Sequence, residues 1–165
     1  MLSSISAFFL ISLMVIYVWF LYKSANNISY LVYKTDFASL KRDLYFYICA
    51  LSPDNKKSIS SEHRRDLVDS FYILIRVWGV KNRAYLYRLK ENIHDHNFEG
   101  KYDDELVIIS CFIKLVDRLL KDSEEEDLLE RYSKGFNLME SRVIELTNYI
   151  DFITSSVEKK FKKTP

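Results

Sequence analysis

Glycine, proline and cysteine are scarce in this chain of 165 residues: three, two and two. So few turn formers exclude a turn-rich all-β fold. Gly79, Gly100 and Gly135 are too scattered to build a loop that brings backbone N–H groups around a phosphate. Cys49 and Cys111 stand alone in apolar contexts, so they supply neither a disulfide framework nor a paired-cysteine zinc motif. They read as reduced packing residues. Charge of one sign is also missing. With 24 Lys and Arg against 23 Asp and Glu, the formal net charge is +1. That leaves no electrostatic footprint for bulk nucleic-acid binding, and no nucleic-acid partner is expected. There is no nucleophile elbow and no helical His-Glu-x-x-His pair, and no cofactor is expected.

The sharpest absence is local. Residues 1–22 carry no charged side chain, and from Ala7 to Tyr22 only Ser12 interrupts an apolar run. A helix of that length reaches about 33 Å, enough for the ~30 Å hydrocarbon core of a bilayer. A cleaved signal would want a basic start and small residues at the cleavage point. Met1 to Ser6 has no Lys or Arg, and Tyr22 and Lys23 sit where small residues belong. A retained single-pass anchor in the plasma membrane is therefore expected. Lys23, Lys34, Lys41 and Arg42 follow the span, and nothing basic precedes it. By the positive-inside rule the N-terminus lies outside and residues 23–165 lie in the cytoplasm. The acceptor-like Asn27-Ile28-Ser29 is discounted on the same grounds.

The rest of the chain has helical spacing. Tyr30, Tyr33, Phe37, Leu40, Leu44, Tyr47 and Leu51 recur every three or four residues, which predicts a juxtamembrane helix over 23–51. Pro53 ends it. Residues 52–165 then read as a helical bundle. A helix starts near Ser61 with Leu67, Phe71, Leu74, Ile75 and Trp78 inward. Gly79 either caps it or kinks a longer helix running on through Tyr85, Leu89 and Ile93. A polar loop is expected over 95–102, then a helix capped by Asp103, with Leu106, Ile109, Phe112, Ile113, Val116, Leu119 and Leu120 inward. Ser123 and Glu126 match a capping box for the last helix. The fold class is thus all-α, with one N-terminal transmembrane helix continuing into a cytoplasmic bundle of four to five helices.

The last helix has the most regular pattern. Tyr132, Phe136, Met139, Val143, Leu146, Ile150, Ile153 and Val157 form a heptad seam. It is either the inward face of a bundle helix or a coiled-coil contact with a second copy or another protein. The seam and the aromatic juxtamembrane stripe are the candidate partner-binding surfaces. The tail around Phe161, rich in Lys, reads as a solvated terminus.

Two clusters carry chemistry-bearing residue types. His94, Asp95, His96, Glu99, Asp103, Asp104 and Glu105 are of metal-ligand type, but they also describe an exposed loop and an acidic helix N-terminus. No metal is expected. Arg88 followed six residues on by His94 resembles the Arg-to-His spacing of all-helical RNases of the HEPN group. That resemblance implies RNA cleavage by Arg88 and His94. The polar residue that often follows the Arg in that group is Leu89 here.

The expected function is non-catalytic: a membrane-anchored interaction or assembly module at the cytoplasmic membrane face. Its expected partners are the lipid bilayer and a protein or second copy engaged through the heptad helix. Abundant Lys, Ile, Asn, Tyr and Phe with few Ala and Gly suggest an AT-rich gene. That favours, as the alternative, a phage-defence, exclusion or immunity-type membrane protein of a mobile element.

Overall fold

The computed structural model describes the backbone of residues 2–124 and 128–157, and side chains over 10–21, 36–124 and 135–156. Among these residues the chain is helical, with no strand. The helices are α1 (Leu2–Ala50), α2 (Pro53–Ser58), α3 (Ser61–Asp95), α4 (Asp103–Glu124) and α5 (Leu128–Phe152). A 3-10 turn over Phe98–Gly100 precedes α4, and a π-helical turn over Ile153–Val157 follows α5. The chain divides into two compact units, residues 1–36 and 37–165.

In the first unit, side chains are described for residues 10–21. Leu10, Ile11 and the large apolar residues from Leu13 to Leu21 are all exposed, Trp19 at 59% and Phe20 at 63%. Among the described residues no helix is long and apolar enough to cross a membrane. The expected span over 1–22 also includes residues 1–9 and 22, whose side chains lie outside that description.

The second unit begins within α1. Phe37, Leu40, Leu44 and Tyr47 of α1, with Leu51, are buried, so the end of the expected juxtamembrane helix is a member of the bundle. The core is joined by aromatic rings. Phe37, Trp78 and Phe112 form a triangle with centroids 5.9–6.0 Å apart. Tyr149 of α5 meets Phe112 edge-on at 5.9 Å. One cluster thus ties α1, α3, α4 and α5 together. Such pairs add about 0.5–1.5 kcal/mol each beyond the area they bury. Lys41–Asp151 and Lys56–Glu140 ion pairs link α1 and α2 to α5 at the surface. Exposed pairs of this kind contribute about 1 kcal/mol or less.

Local signals explain the boundaries. Pro53 opens α2, where its missing N–H costs nothing. Ser60, one residue before the expected cap, accepts from the His63 N–H at 3.3 Å and starts α3. Ser123 lies inside α4 and donates to the Leu120 carbonyl at 2.6 Å, so it is not the cap of the next helix. Glu126, its expected capping-box partner, lies outside the described residues.

Gly79 does not end its helix, because α3 runs on as one helix to Asp95. Its role is close approach. A Cβ built there would lie 3.1 Å from Leu120 Cδ2 and 3.2 Å from Val116 Cγ1 of α4. Gly79→Leu is therefore expected to overpack the α3–α4 contact and destabilise the protein by about 1–3 kcal/mol or more. The shift of the urea unfolding midpoint measures this. An unchanged midpoint would show that α4 moves aside freely.

Candidate functional site

The chain offers four places to look for function, and the structure treats them differently. The loop between α3 and α4 is built by Asn97. Its Oδ1 accepts from the Tyr102 N–H at 2.5 Å, and its Nδ2 donates to Asp103 Oδ1 at 2.7 Å. His96 closes the end of α3, its ring Nδ1–H donating to the Asn92 carbonyl at 2.7 Å. Glu99 and Gly100 adopt left-handed conformations, with φ of 58° and 74°. A Cβ on Gly100 would also sit 2.9 Å from Asp103 Oδ2. Tyr102, expected in a polar loop, is buried. Asn97, His96 and Asp103 are thus engaged in closing the turn. Among the described residues no group of three or more His, Cys, Asp or Glu is arranged to hold a metal ion. Asn97 carries this loop, and sequence reading passed over it because a loop asparagine has no spacing that marks it.

Arg88 and His94 both lie on α3 and both are exposed. Six residues along a helix turn the chain by about 240°, so the two side chains leave the helix roughly 120° apart and about 9 Å along its axis. They do not converge on one cleft within the chain.

The heptad seam of α5 lies inside the protein. Met139, Val143 and Leu146 are 0% exposed, Ile150 1% and Ile153 4%. Phe136 is half-buried beneath Lys56 and Arg64, whose charged groups stand 6.0 and 5.5 Å from its ring centre. The side chains of Tyr132 and Val157 lie outside the described residues. Of the two readings of the seam, the burial of these five members matches the inward face of a bundle helix. They fill the core because the stripes of α1, α3 and α4 need a fourth apolar face to pack on. Gly135 faces Val68 of α3, and a Cβ there would meet Cγ1 at 3.4 Å, an ordinary contact distance.

A fourth surface was missed in the sequence. Ile73, Val77, Val80, Ala84 and Tyr87 step along α3 by 4, 3, 4 and 3 residues, the same spacing as the α5 seam. They lie on the face opposite the buried Phe71, Ile75, Leu86 and Ile93. Ile73 is 64% exposed, Val77 and Val80 are each 66% exposed, and Ala84 and Tyr87 are exposed too. Around the helix this places a narrow apolar ridge on the solvent side of the bundle. Tyr87 borders α4, where its hydroxyl donates to Asp117 Oδ2 at 2.8 Å and Arg83 Nε meets Asp117 Oδ1 at 3.1 Å. The hydrogen bond to the Asp117 carboxylate, with lesser burial and charge effects, holds the Tyr87 phenol above its ordinary pKa. The ridge escaped notice because α3 is apolar on two faces, and the inner stripe accounts for the helical period by itself. Leu74, assigned to that inner stripe, is only half-buried.

Compared with known proteins, the chain matches no family model, no curated protein and no solved structure.

Proposed function

We propose that this protein is a membrane-anchored helical docking module without catalytic activity, held in the bilayer by residues 1–22 and engaging a protein partner through its cytoplasmic bundle. The observation that carries the docking reading is the exposed α3 ridge. Apolar side chains repeating at heptad spacing on a solvent face mark a binding surface more often than scattered surface hydrophobes do. The anchor is supported by residues 10–21, where apolar side chains are exposed around the whole turn of α1. Water is a poor solvent for such a cylinder and lipid a good one. Tethering confines the bundle near the bilayer and raises its effective concentration toward a partner there.

Two measurements test the reading. The full-length protein is expected to resist alkaline extraction from membranes. Cys49, exposed on α1, is expected to react with a membrane-impermeant maleimide only after the cells are permeabilised. Release by alkali would remove the anchor, and labelling of intact cells would reverse the topology. Crosslinking in native membranes followed by mass spectrometry is expected to return a stoichiometric protein partner. A clean monomer would end the assembly reading.

A further inference from the structure

The charge pattern beside the α3 ridge specifies what covers it; this inference rests on the docking function proposed above. Between Asp69 and Glu91, α3 contains no carboxylate and five basic residues, Arg76, Lys81, Arg83, Arg88 and Lys90. This is a local excess in a chain whose formal net charge is only +1. Four of the five are placed by the helical repeat along the two sides of the ridge. Arg76 and Arg83 fall on one side, Lys81 and Arg88 on the other, and all four are exposed. Asp117 of α4 meets this border at Arg83.

In a helix pair, the positions flanking the apolar seam decide which partner is accepted. Two copies of this face would bring two basic borders together, offset at Arg83 by Asp117, and like charges at such positions destabilise pairing. A second copy is thus disfavoured. A bilayer surface also attracts basic residues, but interfacial helices that enter lipid present Trp, Phe and Leu. Apart from Tyr87, whose hydroxyl is held by Asp117 at the α4 border, this ridge presents Ile73, Val77, Val80 and Ala84, short side chains suited to fitting between those of another helix. We infer that the outer face of α3 receives an amphipathic helix from a partner protein, one whose apolar stripe is bordered by Asp and Glu.

The test uses the full chain in non-ionic detergent and two labelled helical peptides of about four heptads. Both carry the same Ile/Leu seam; one has Glu and the other Lys at the flanking positions. Fluorescence anisotropy is expected to show binding of the Glu-flanked peptide, weakened by salt, and little binding of the Lys-flanked one. Val77→Lys with Val80→Lys is expected to weaken the first by at least about tenfold. Because both valines are 66% exposed, thermal melting of that variant stays near wild type and shows that the fold is intact. Arg76→Glu with Arg88→Glu is expected to reverse the preference between peptides. Equal binding of both peptides, no binding of either, or indifference to the ridge substitutions overturns the inference. Burial in lipid of a spin label at Val80→Cys, in nanodiscs of anionic lipid, would overturn it in favour of a membrane-docking face. The parent reading fails separately. A membrane partner captured equally well by wild type and by the Val77/Val80 variant leaves assembly standing and removes only this surface.

Discussion

Ile150→Asp is expected to abolish the folded state. Ile150 is 1% exposed on α5, within a run of buried residues that includes Val143 and Leu146. A carboxylate there has neither water nor a cation to compensate its desolvation. Even after relaxation and protonation the penalty is several kcal/mol, in addition to the lost apolar burial. Single domains have only about 5–15 kcal/mol in total. Val143→Asp is expected to behave alike. On the ridge of α3, by contrast, Val77→Lys removes a side chain that is 66% exposed and is expected to change stability by about 0.5 kcal/mol or less. The measurement is circular dichroism and size-exclusion chromatography of each full-length variant in the same detergent. A folded, monodisperse Ile150→Asp protein that had lost only a binding partner would show that the α5 seam faces outward.

Phe112→Ala is expected to cost about 3–5 kcal/mol, the usual range for deleting a fully buried phenylalanine. Phe112 is 0% exposed, and its ring stands 5.9 Å from Phe37, 6.0 Å from Trp78 and 5.9 Å from Tyr149. Those neighbours sit on three different helices, so no single side-chain movement can refill the space. Phe112→Leu keeps most of the volume and is expected to cost less than half as much. Urea unfolding followed by tryptophan fluorescence reads both, since Trp78 lies in the cluster. A loss below about 1.5 kcal/mol for the alanine variant would show that the four helices are not held by this ring cluster.

The helical character of the second unit was legible in the sequence because its inward stripes have an unambiguous period. Phe37, Leu40, Leu44 and Tyr47 point to one face of α1, and that face is buried together with Leu51 just after it. The start of α3 was readable to within one residue, since Ser60 and Ser61 are both capable caps and only backbone geometry chooses between them. Gly79 could not be resolved from sequence. A glycine in a helix is compatible with a stop, a kink or a neighbouring helix pressed against it, and what decides here is Leu120 and Val116, more than thirty residues away. The α5 seam posed the same difficulty in another form. Heptad spacing states that a stripe will be covered, not by which chain. The outer ridge of α3 was present in the sequence as Ile73, Val77, Val80 and Ala84, yet it is recognisable only once the opposite face is known to be full.

The glycine contact between α3 and α4 bears on how the outer ridge can bind. Gly79 lies between Val77 and Val80 in the chain and turns toward α4 while they turn outward. The ridge is thus backed near its midpoint by the Leu120 and Val116 side chains of α4, packed directly against the α3 backbone. A surface braced in this way has few alternative shapes to surrender when a partner arrives. Association therefore carries a small ordering penalty on this side of the contact, and a shallow row of valines can suffice where a floppy segment would need more area.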